Sequence, residues 1–139
     1  MIELLSPVGD FECLKAAVQN GADSVYLGGS LFNARASAAN FNNDIYIYIF
    51  TLSAKINFAL NTLIKDEEFD DAINLAKFVY TLGADAIIVQ DLGLAKYIID
   101  NLPGMDVHAS TQMTIHNLQG VLALEKLGFK RVVLSRELS

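Results

Sequence analysis

Short apolar runs recur along this chain, and each follows a helical pattern that ends at a glycine. Gly21-Ala22-Asp23 precedes Ser-Val-Tyr-Leu, and Gly83-Ala84-Asp85 precedes Ala-Ile-Ile-Val. A looser third copy starts at Gly128, with Phe-Lys ahead of Arg-Val-Val-Leu. Glycine suits the left-handed position that closes a helix. An unalternated β-branched run is what a strand buried on both faces requires. The runs predict strands at Ile2–Leu5, Ser24–Leu27, Ile56–Leu60, Ala86–Gln90, Asp106–Ala109 and Arg131–Ser135. Helical spacing predicts helices at Phe11–Gln19, Asp44–Ala54, Glu67–Leu82, Leu94–Asn101 and Asn117–Leu127. Asp10 suits the N-cap of the first of these. Acids fill the first turn of Glu67–Leu82, where the helix dipole favours them.

This order of elements belongs to αβ units in a parallel sheet. Gly21 and Gly83 stand 62 residues apart for two units, the size of a βα repeat. The expected fold is a TIM-type (β/α) barrel in one partial domain over residues 1–139, with about six of a closed barrel's eight units. Polar residues gather directly after the expected strands: Ser6 to Asp10, Gly28-Gly29, Asn61-Thr62, Gln90-Asp91, Ser110-Thr111-Gln112 and Ser135-Arg136-Glu137. In a barrel these points form one rim, the C-terminal face that carries active sites.

Composition narrows the class. With 53% hydrophobic and 19% charged residues in 139, the chain has material for a core, and disorder is excluded. A net charge of −6 argues against a surface built mainly to grip phosphates, while leaving room for a local basic patch. Cys13 is the single cysteine, which excludes an intrachain disulfide and a cysteine-rich metal site. Glu3 and Asp10 sit where a secretory signal needs basic and then apolar residues, so a cytoplasmic protein is expected. The apolar stretch Ile45–Ile64 approaches the length of a membrane span. Lys55 at mid-membrane costs about 3 kcal/mol, and a core reading avoids that cost.

Each candidate for chemistry has a structural alternative. His108 is a general acid or base, or a core histidine with a satisfied hydrogen bond. His116 is a rim group or the cap of the next helix. Asp91 is a rim carboxylate or the cap of the helix from Leu94. Arg136 and Glu137 are adjacent, so on a strand one of them would face the cavity. Glu3 in an apolar strand needs a partner such as Arg35 or Arg136, or else the strand starts later. Cys13 is expected to pack on the apolar face of the first helix. No nucleophile elbow and no i, i+4 histidine pair is present.

The wording ELLSPVGDFECLKAAVQNGADSVYLGG, NARASAANF, LNTLIKDEEF, LGADAIIVQDLGLA, HASTQMTIHN and GFKRVVLSRELS resembles the N-terminal barrel region of the U-32, collagenase-like peptidase family. The blocks are colinear and run almost from end to end. The resemblance implies a TIM-type barrel and a peptidase that hydrolyses peptide bonds. It offers RNA modification as the alternative, by pyrimidine hydroxylation in tRNA or rRNA, and a non-catalytic truncated barrel as a third reading. The implied substrates are a protein or peptide, or tRNA or rRNA, with no membrane partner.

For hydrolysis the resemblance implies Asp91 or Glu137 as base or metal ligand and His108 as proton carrier. Arg35, Asn40, Asn61, Gln90, Ser110, Gln112, His116, Asn117 and Arg136 are implied as substrate-binding positions. Full-length relatives hold an iron–sulfur cluster through a cysteine-rich signature that Cys13 does not match, so this chain is not expected to hold one. The segment Asp44–Asn57 departs from the family pattern in its thin polar face and shortened turn. Open barrel edges imply self-association.

Overall fold

The computed structural model describes residues 2–28 and 54–138; Arg35, Asn40 and the expected helix up to residue 53 lie outside them. The described elements are β1 (Leu5–Val8), α1 (Phe11–Gln19), β2 (Ser24–Gly28), β3 (Lys55–Leu60), α2 (Phe69–Thr81), β4 (Ala86–Val89), α3 (Leu92–Asn101), β5 (Asp106–Ala109), α4 (Leu118–Leu127) and β6 (Arg131–Val132). All six strands are parallel and lie side by side in chain order. The sheet curls into a half-barrel, so that Glu3, ahead of β1, reaches Arg131 at the start of β6. No described helix is long and apolar enough to cross a membrane.

The three glycine turns end their helices in the same way. Gly21, Gly83 and Gly128 have φ of 89°, 80° and 105°, where a side chain would be strained. The next residue's N–H returns to the helix, Ala22 to Ala17 O, Ala84 to Val79 O and Phe129 to Leu124 O. In the first two turns the aspartate then reaches the neighbouring strand. The Asp23 carboxylate accepts from Leu4 N at 2.8 Å, and Asp85 accepts from Ile56 N at 2.8 Å. The repeated Gly-Ala-Asp therefore both closes a helix and stitches strand starts together.

Alternation along the strands separates two faces. Val25, Leu27, Ile87, Val89, Val107 and Ala109 face the helices and are almost wholly buried. Leu94, Ala95 and Ile98 of α3 and Ala76 and Val79 of α2 meet them. The opposite positions, including Ser24, Asn57, His108 and Arg131, turn to the hollow of the curl.

Several expectations need correction. The first strand is Leu5–Val8, not Ile2–Leu5: Pro7 lies inside it, which an edge strand tolerates because one side of its ladder is unpaired. Glu3 has a partner, but it is Arg131 and not Arg136. The last strand ends at Val132, so Arg136 and Glu137 lie in a turn beyond it and both are exposed. Cys13 is exposed, because the buried stripe of α1 runs through Leu14 with Ala17 and Val18 beside it.

Glu3 is held at a pKa of about 2, first by its hydrogen bonds from Arg131 and then by that from the Ser24 hydroxyl. A lowered carboxylate pKa contributes stability that is present above pH 4.5 and lost as pH falls toward 2. Both side chains are partly exposed, so screening leaves about 1 kcal/mol. A double-mutant cycle of Glu3→Gln with Arg131→Met, followed by urea unfolding, is expected to show that coupling at neutral pH and none below pH 2. Equal coupling at both would contradict this.

Candidate functional site

Two polar regions occupy opposite ends of the half-barrel. At the N-terminal strand ends, a cavity of about 290 Å³ is lined by Glu3, Lys55, Asn57, Asp85, Asp106, His108 and Arg131, among others. Arg131 meets Glu3 through two hydrogen bonds of 3.0 and 2.8 Å, and the Ser24 hydroxyl donates to Glu3 at 2.6 Å. Asn57 is buried and donates to Val25 O at 3.3 Å. His108 is only 7% exposed, and burial, followed by the Arg131 charge, pushes its pKa down. The geometry favours its neutral ring.

At the C-terminal strand ends, the segment from Ser110 to Asn117 forms a compact loop. The Ser110 hydroxyl caps the short 3-10 turn Thr111–Met113 by accepting from Gln112 N at 3.3 Å. Thr114 follows with φ 56° and ψ 32°, the one positive-φ residue other than glycine among the described residues. A β-branched residue held left-handed costs on the order of 1 to 3 kcal/mol. That strain turns the chain so that the Thr114 carbonyl meets His116 Nδ1 at 3.0 Å. Asn117, and not His116, caps α4: its Oδ1 accepts from Gly120 N at 2.8 Å, while its Nδ2 lies 3.4 Å from His116 Nε2.

Other rim groups converge on this loop. Gln90 donates to Gln112 O at 3.4 Å. Ser135 N donates to Ile115 O at 2.9 Å, which docks the segment after β6 against the loop. The Ser135 hydroxyl hydrogen-bonds Glu137, holding that carboxyl below its usual range, with Arg136 and His116 contributing smaller charge effects. Asp91 is the N-cap of α3 and accepts from Leu94 N at 2.9 Å.

The structure thus brings together Gln90, Ser110, Gln112, His116, Asn117, Ser135 and Glu137, with Arg136 exposed beside them. Asn61 follows β3 and is half-buried. His108 stands apart, in the cavity at the other end. Sequence reasoning missed Thr114, since nothing in a threonine signals a left-handed turn. It also missed Arg131, although the first residue of β6 and a residue just ahead of β1 share one level of a curled sheet. Among the described residues no group of three or more His, Cys, Asp or Glu is placed to hold a metal. The single cysteine is exposed, and its thiol is pushed up by Asp10, a setting that does not fit thiolate ligation of an iron–sulfur cluster.

The sequence profile described as Peptidase family U32 matches residues 9–139. The chain belongs to this family. It is 39% identical to the 23S rRNA 5-hydroxycytidine C2501 synthase of Escherichia coli, over 99% of this chain and 21% of that protein. It is 32% identical to the tRNA hydroxylation protein P of the same species, over 99% of this chain and 31% of that protein. It is 34% identical to a protein named Collagenase from Porphyromonas gingivalis, over 99% of this chain and 34% of that protein. Family U32 therefore includes members named for proteolysis and members named for RNA hydroxylation, and this chain spans between about a fifth and a third of their length. A solved U32 peptidase structure superposes with a TM-score of 0.76 at 10% identity, over 96% of this chain and 58% of that one, which shows the shared fold.

Replacing Thr114 by glycine removes the left-handed strain and is expected to raise unfolding stability by about 1 kcal/mol. A loss of similar size in thermal or urea unfolding would show that the turn is not strained.

Proposed function

We propose that this chain is the first part of a TIM-type barrel whose C-terminal rim recognises single-stranded RNA for pyrimidine hydroxylation. The observation that carries the reading is the chemistry of the rim. Gln90, Gln112, Asn117, Ser110 and His116 offer hydrogen-bond donors and acceptors of the kind that read an unpaired base edge. Arg136 supplies an exposed cation for a phosphate. Two of the relatives named above are enzymes or proteins of RNA hydroxylation. A cytoplasmic setting goes with this reading.

The barrel assignment has geometric support. Six parallel strands follow one another in chain order, and the sheet curls far enough for Glu3 to reach Arg131, as the first six strands of a closed barrel would. In the isolated chain the open edges, with Ile2, Leu4 and Leu134 exposed beside them, favour self-association.

Peptide hydrolysis is the second reading, supported by the relative named Collagenase. It would use Asp91 or Glu137 with His108. Asp91 already serves as a helix cap, and His108 lines the opposite cavity.

The two readings separate in a binding experiment. Fluorescence anisotropy with a labelled, cytidine-containing single-stranded RNA is expected to show saturable binding that Arg136→Ala weakens by about threefold or more. Denatured collagen should not compete. Absence of RNA binding, with saturable binding of labelled denatured collagen in its place, would overturn the RNA reading. Asp91→Asn keeps a good cap, and this variant is expected to leave both stability and RNA binding unchanged.

A further inference from the structure

The loop after β5 fixes which nitrogen of His116 carries the proton, and two independent neighbours agree. The Thr114 carbonyl oxygen can only accept, so at 3.0 Å Nδ1 must be its donor. Asn117 has its Oδ1 committed to Gly120 N at 2.8 Å, which leaves its amide Nδ2 turned to His116 Nε2 at 3.4 Å. A neutral ring between a fixed acceptor and a fixed donor takes the Nδ1–H form, with its Nε2 lone pair outward. His116 is exposed, and the 3.4 Å contact is long enough to yield to a better donor.

We propose that His116 Nε2 is the proton-accepting atom of this rim, receiving an N–H or O–H of the bound ligand, and that Thr114 is its positioning residue. The inference rests on the RNA reading for its ligand class, a pyrimidine whose exocyclic amine can donate. It does not rest on that reading for the state of the ring. On ligand binding the donor replaces Asn117 Nδ2 at Nε2. The ligand donor keeps its proton and shares it with Nε2, while Nδ1–H continues to donate to the Thr114 carbonyl. The Glu137 segment, docked here through Ser135 N and Ile115 O, places a carboxylate near the ring.

The tautomer is read directly from nitrogen-15 spectra of the neutral His116 ring in the full 139-residue chain. The expected result is a protonated Nδ1 and an unprotonated Nε2. Thr114→Gly, which keeps the left-handed turn, should preserve this pattern. Asn117→Asp keeps the cap of α4 but presents a carboxylate to Nε2, so it should add a proton at Nε2 while Nδ1 stays protonated toward the Thr114 carbonyl. A wild-type ring protonated mainly at Nε2, or an Asn117→Asp ring that does not change, would overturn the assignment.

Adding a short cytidine oligoribonucleotide should shift the Nε2 resonance and leave Nδ1 near its place. Binding that moves other rim signals but not Nε2 would overturn the proposal. An absence of RNA binding with the expected tautomer intact would instead overturn the RNA reading and leave the fixed acceptor standing.

Discussion

The bridge between Glu3 and Arg131 joins residues 128 apart in sequence and ties the two ends of the curled sheet. Strand pairing fixes each neighbour to the next but does not by itself fix how far six strands curl. A two-point contact between a carboxylate and a guanidinium does, because both partners are planar and meet in one orientation. Ser24 holds the carboxylate from β2, so the bridge is positioned from three strand starts together. Its energy is modest at this exposure; its importance is geometric. β6 has only two residues in the ladder and relies on such ties more than the longer strands do.

From that anchor the chain runs to the opposite end of the half-barrel. Val133 N bonds to Ala109 O, and Ser135 N then passes to Ile115 O instead of continuing along β5. The reason lies in β5 itself. Ser110 starts a 3-10 turn, so the ladder has no next rung, and the segment after β6 bonds to the loop that replaced it. Polar groups at the two ends consequently differ in kind. Those at the N-terminal strand ends include the paired Glu3 and Arg131, and burial there, followed by the Arg131 charge, pushes the His108 pKa down. Those at the C-terminal ends are mostly uncharged amides, a hydroxyl and an imidazole on a strained turn. Strain of that sort persists where surrounding structure holds it, and it is characteristic of working sites.

Much of the fold was legible because it rests on local signals. Asp10 is a cap that accepts a backbone N–H group, and the glycines at 21, 83 and 128 mark helix ends that the structure reproduces. The limits β1 and β6 were harder, since they depend on which side of a strand is left unpaired and on whether its neighbour still offers a rung. Most of the rim was also legible: Ser110, Gln112, His116 and Asn117 follow β5 as the barrel spacing implies. Their roles were not. His108 at the far cavity and Thr114 as the turn follow from orientation, which letters along a chain do not carry, whereas the cap role of Asp91 was one of the two readings its position offered.

The bridge at one end of the half-barrel holds the rim at the other through β6. Amide hydrogen exchange in an Arg131→Met variant tests it most directly. The Ser135 amide, bonded to Ile115 O, should lose protection, while amides between β3 and β4 keep theirs. Unchanged protection at Ser135, in a variant shown to have lost the Glu3 contact, would contradict the claim.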